Sequence, residues 1–114
     1  MVPDAFTIFM ENENIMEEKI LLFFNDRIQK PIKKDSEINK YGFFGMDAIV
    51  LMSDFFEEFE IQNSEDFDIF SYFVEELSFI DFLKISYEKR LIQKPPLKIR
   101  HLIEVAEQKK WFSP

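Results

Sequence analysis

Residues 45–60, GMDAIVLMSDFFEEFE, constrain this chain more than any other stretch. Ala48, Ile49, Leu51, Met52, Phe55, Phe56 and Phe59 recur at i, i+3, i+4, i+7 spacing, which predicts a helix over about Gly45 to Glu60 with one wide buried stripe. The opposite face reads Asp47, Val50, Ser53, Asp54, Glu57 and Glu58, so its charges are all negative. Such a helix must lay its apolar stripe on other apolar elements and keep the acidic side outward. The preceding residues, Ser36 to Phe44, read as an extended loop that turns at Gly42.

The rest of the chain supplies what that stripe packs against. A first helix is expected to start at Asn12 or Asn14, because Asn14 with Glu17 is a capping-box pattern, with Phe6, Ile8 and Phe9 before it either adding an earlier helical turn or packing down as an arm. Ile15, Met16, Ile20, Phe23, Phe24 and Ile28 carry it at helical spacing to about Gln29. Lys30-Pro31 stops it, since the residue before a proline is pushed out of the α region. Lys30 to Phe44 then reads as one long loop. After the central helix, Gln62-Asn63-Ser64 is a turn cluster, and DFDIFSYF, residues 66–73, reads as a short third helix or helical turn. Residues 78–92 fit a helix capped by Ser78, while Ile80, Ile85 and Tyr87 keep a strand open. A last helix is expected over about Lys98 to Lys110, with Ile99, Leu102, Ile103 and Ala106 inward and Lys109-Lys110 at its negative end. Trp111 should pin the C-terminus to the bundle. The fold class is therefore all-α, one domain over residues 1–114, with three or four main helices and a long loop between the first two.

Composition matters here for what it excludes. With 46% hydrophobic residues and 15 phenylalanines the chain can bury a real core. It has no cysteine, hence no disulfide, thiolate metal site or thiol nucleophile. It has no long apolar run, so no membrane span is expected. MVPDAFTIFMENEN lacks the pattern of a signal peptide, which makes the expected compartment the cytoplasm. The net charge of −8 is unevenly placed. Residues 41–83 hold eleven acids and no Lys or Arg, against eight acids and six bases in residues 1–40 and three acids and eight bases in residues 84–114. A stretch without cations does not bind phosphate backbones, which argues against nucleic acid and for a protein partner with a basic surface.

The candidate chemistry is sparse. His101 is the sole histidine and is expected at the surface, so neither a Ser-His-Asp arrangement nor a histidine metal site is supported. Asn63, Glu65, Asp66 and Asp68 form an acidic turn without the glycine and ligand spacing of a calcium loop. Two glycines leave no phosphate-cradling loop. Ser36 reads as a turn residue making a local hydrogen bond, and Ser53 as an exposed helix residue. The expectation is a protein that is not an enzyme and holds no cofactor or metal.

The central stretch also resembles the acyl carrier proteins. Ser36 stands where those proteins have Ser or Thr, Gly42 matches their loop glycine, and Met46-Asp47 matches the Leu-Asp of their Asp-Ser-Leu-Asp signature. Leu51 matches a core leucine, and Glu57-Glu58-Phe59 the end of their second helix. Gly45, however, occupies the place of the serine that carries phosphopantetheine, and Phe44 that of the aspartate before it. The whole chain is similar to domain-of-unknown-function family 1493, short bacterial cytoplasmic proteins themselves similar to acyl carrier proteins. Three blocks carry this: GFFGMDA (42–48), FDIFSYF (67–73) and PPLKIRHLIEVAEQKKW (95–111). The resemblance implies a carrier-like bundle without its prosthetic arm. Partner contact would then fall on Met46, Asp47, Val50, Asp54, Glu57 and Glu58. Phe43 and Phe44 are expected to plug the core, with an exposed aromatic contact as the other possibility, and Met46 either joins the outward face or tucks inward. Two further functions stay open: a binder of a small apolar or acyl ligand in the Phe-rich interior, and an acidic inhibitor or immunity-type protein.

Overall fold

The computed structural model describes residues 5–75, 89, 91 and 93–114, with side chains from residue 15 onward. Three α-helices organise them: α1 (Ala5–Ile28), α2 (Gly45–Glu58) and α3 (Ile99–Gln108). Three 3-10 turns, Ile38–Lys40, Ser64–Asp66 and Ile69–Ser71, lie in the connections. The described residues contain two isolated β-bridges and no strand, and the fold is all-α. The stretch 78–92 lies outside the described residues except for Lys89 and Leu91, which are helical.

The first helix starts earlier than its capping pattern predicts. It begins at Ala5, so Asn14 and Glu17 sit inside it. The reason is the lack of any Gly or Pro between Pro3 and Pro31: nothing stops the helix from propagating backwards through the polar asparagines. It ends at Ile28, and Gln29 takes a left-handed φ of 59° while its N–H still reaches the Asn25 carbonyl at 2.8 Å. The other helices stop one or two residues inside the expected bounds. Each closes on a residue with φ of 54°, Glu60 and Lys109, in the arrangement where the next N–H reaches back one turn: Ile61 to Phe56 and Lys110 to Val105. The Gln62 N–H then donates to the Lys109 carbonyl at 3.0 Å, joining the ends of α2 and α3.

The core is where the three helical stripes meet. Ile20, Phe23 and Phe24 of α1 face Leu51, Met52, Phe55 and Phe56 of α2, and Ile99, Leu102, Ile103, Val105 and Ala106 of α3 complete it. Two groups of rings fill it. Phe23, Phe24, Phe55 and Phe59 meet with centroids 5.0 to 6.0 Å apart. Phe56, Phe67, Tyr72 and Trp111 form the second group, with Trp111 edge-on to Phe67 at 4.6 Å. Trp111 is thus the C-terminal pin expected of it. Each fully buried side chain of this size contributes about 1.5–3 kcal/mol by leaving water.

The long loop is held to the α3 end by polar contacts. Glu37 bridges Lys98, and the first N–H groups of α3, which have no partner within the helix, donate to loop carbonyls: Ile99 to Ser36 at 3.0 Å and Arg100 to Lys34 at 2.8 Å. Asn39 is fully buried at the junction. Its Nδ2 donates to the Tyr72 and Pro95 carbonyls, both at 2.8 Å, and its Oδ1 accepts the Leu97 N–H at 3.0 Å. Lys40 Nζ donates to the Leu91 and Lys94 carbonyls, and Ser36 Oγ accepts the Lys33 N–H at 2.9 Å, the local turn bond expected of it.

His101 departs from its expected surface position. It is buried, edge-on to Trp111 and Phe112 at 5.4 and 4.7 Å, and its Nε2 donates to the Phe112 carbonyl at 2.7 Å. An imidazole whose polar atom meets one carbonyl packs as a small aromatic ring, which a one-dimensional reading of its charged neighbours misses.

Candidate functional site on the second helix

The acidic side of α2 faces outward along its length. Asp47, Glu57 and Glu58 are exposed and Asp54 is half-buried. Met46 is 70% exposed and Val50 49%, so Met46 does not tuck into the core. With Ser53 they form an outward ridge, because Met46, Val50, Ser53 and Glu57 stand three or four residues apart. Among the described residues no ion pair engages Asp47, Asp54, Glu57 or Glu58; the three present use Glu17, Asp35 and Glu60. All six residues singled out in the sequence therefore share one face.

The start of the helix is closed. Gly45 is the first helical residue, as expected, but it is buried and its backbone takes a left-handed φ of 54°. Its N–H donates to the Val74 carbonyl at 2.9 Å, beside the parallel bridge between Phe44 and Val74. A side chain there would be strained, so glycine has a local backbone reason to occupy the position. Gly42, at φ 90°, is the loop turn the sequence marks. Phe43 packs half-buried against the core, and Phe44 is also half-buried.

Two grooves flank the ridge. One, of about 270 Å³, is lined by Phe43, Asp47, Val50, Leu51, Asp54 and Arg27. Arg27 is held over the Phe23 ring at 3.6 Å and donates to the Phe23 carbonyl, so the one cation among the described lining residues of this groove is tied to its own helix. The other, of about 440 Å³, lies between α2 and the turns that follow it. Ile49, Met52, Phe56, Phe67 and Ile69 form its apolar floor, and Glu57 and Glu65 stand on its rim. Sequence reading assigned Phe67 and Ile69 to a helical turn and Glu65 to an acidic turn weighed for calcium, and gave none of them a part in partner contact. The available signal was the alternation of acids with large apolar residues in Glu65-Asp66-Phe67-Asp68-Ile69.

The acidic turn itself is structural. Asn63 Nδ2 donates to Asp66 Oδ2 at 3.1 Å and to the Trp111 carbonyl at 3.0 Å, while its Oδ1 accepts the Trp111 N–H at 2.7 Å. Asn63 thus clamps the C-terminal segment. Among the described residues no group of three or more acidic, His or Cys side chains is placed to hold a metal ion. None of the described helices is long and apolar enough to cross a membrane.

Comparison with known families matches residues 8–113 to the family described as a protein of unknown function, DUF1493. The chain belongs to that family. The match takes in all three sequence blocks that suggested it, and with them α2, both grooves and α3. Neither the curated proteins nor the solved structures contain a match.

Proposed function

We propose that this member of DUF1493 is a carrier-like, non-catalytic protein that binds a protein partner through the acidic face of α2 and is not phosphopantetheinylated. The observation that carries the reading is the exposure of Met46 and Val50 among Asp47, Asp54, Glu57 and Glu58, carboxylates that form no ion pair among the described residues. Exposed apolar side chains ringed by unpaired charge of one sign suit a contact that is steered by charge and held by burial. The buried, left-handed Gly45 supports the absence of a prosthetic arm at the helix start. The acyl-carrier resemblance supports the bundle, and the basic surface belongs to the partner.

The test is charge reversal. Asp54→Lys/Glu57→Lys/Glu58→Lys keeps the exposed helix face soluble and should remove the partners captured from native lysate by the wild-type chain. An unchanged set of captured proteins overturns the reading. Intact mass after incubation with a phosphopantetheinyl transferase and coenzyme A should show no gain; a gain would place an arm on another serine.

A further inference from the structure

The larger groove says what kind of partner segment the chain takes, on the reading that it binds a protein at all. Its floor is unfinished: Ile49, Phe67 and Ile69 remain half-exposed beside buried Met52 and Phe56. Its rim is charged, with Glu57 and Glu65 exposed and no Lys or Arg among the described lining residues. Neither carboxylate joins an ion pair among the described residues. A fatty acid would meet two like charges at the rim. A basic helix matches both features: its apolar side chains cover the floor, while lysine or arginine stems lie across the rim and bring their cations to the carboxylates. The Met46–Val50–Ser53–Glu57 ridge alongside offers ridge-into-groove packing to an incoming helix.

We infer that the groove between α2 and the turns at 64–71 seats a basic amphipathic helix of a partner protein, anchored on Phe56, Phe67 and Ile69 and paired at Glu57 and Glu65. The site differs from the outer acidic face in its direction: the contacts lie on the flank of α2 that faces the following turns.

The experiment uses a labelled Leu/Lys amphipathic peptide of about 18 residues, long enough to hold a helix. A Ser/Lys peptide of equal charge and a Leu/Glu peptide serve as controls. Expected are binding of the Leu/Lys peptide alone, NMR shift changes centred on Ile49, Phe67 and Ile69, and at least tenfold weaker binding to Ser53→Phe, which fills the groove from an exposed position, and to Glu65→Lys. Circular dichroism of both variants establishes that they fold. No binding, or equal binding of the Ser/Lys peptide, overturns the inference. So does binding lost in Asp54→Lys/Glu58→Lys but kept in Ser53→Phe and Glu65→Lys; that result returns the partner to the outer face and leaves the proposed function standing. Shift changes at the groove with decanoate but not with the peptide give it to an apolar ligand instead. Concentration-dependent dimers that Ser53→Phe abolishes give it to a second copy of this chain. Loss of peptide binding in Ser53→Phe together with an unchanged lysate partner set in Asp54→Lys/Glu58→Lys upholds the groove and removes the outer face.

Discussion

Single residues hold together two junctions that the pattern along the chain does not show. Asn39 is a polar residue in the middle of an unremarkable loop, yet it satisfies two carbonyls and one N–H from segments far apart in sequence. Asn39→Ala leaves the buried Tyr72 carbonyl and Leu97 N–H without partners, each costing about 1–3 kcal/mol, so a loss of at least about 2 kcal/mol is expected in urea unfolding. Gly45 makes the opposite case, where the side chain is missing for a reason. Gly45→Ser restores the serine of the carrier signature but forces an L-residue into φ 54° at a buried site. A loss of about 1–2 kcal/mol is expected, together with no mass gain from a phosphopantetheinyl transferase. Unchanged stability would mean the backbone is not strained there.

At the scale of elements, the long loop and α3 are held by backbone bonds beside one surface ion pair. Arg100 Nε donates to Asp35 Oδ1 at 3.1 Å, and the hydrogen bond and charge of Arg100 hold the Asp35 carboxyl below its ordinary 3.8. A depressed carboxylate stabilises the fold above its unfolded value and loses that contribution as pH falls through its folded value. The stability difference between wild type and Asp35→Asn should therefore be present at about pH 5 and vanish toward about pH 2. Because both partners are exposed, the difference is small and shrinks further in salt. A pH-independent difference would assign the effect of the substitution to something other than this pair.

Across the whole molecule, charge is segregated along the chain, and the eleven acids of residues 41–83 have no base among them. Mutual repulsion of that kind destabilises a compact state and is screened within about 10 Å at 0.1 M salt. The thermal midpoint should accordingly rise between low salt and about 0.5 M sodium chloride, while affinity for a basic partner falls over the same range. The two trends oppose each other in sign, so measuring both on one preparation separates self-repulsion from partner attraction. A midpoint that does not move would mean the acids are already neutralised within the fold.

The all-α class, the outer face of α2 and the family were legible in the chain's local order alone. Helical period, proline position and the absence of lysine and arginine need no knowledge of distant segments. The roles of Asn39, His101 and Gly45, and the existence of the larger groove, emerge from the packed fold. Asn39 and His101 meet partners contributed by other segments, and Gly45 is constrained by the Val74 carbonyl. The groove is the space between a helix and the turns that follow it. Pattern along a chain reports which residues seek burial; it carries no information on which segments arrive beside them.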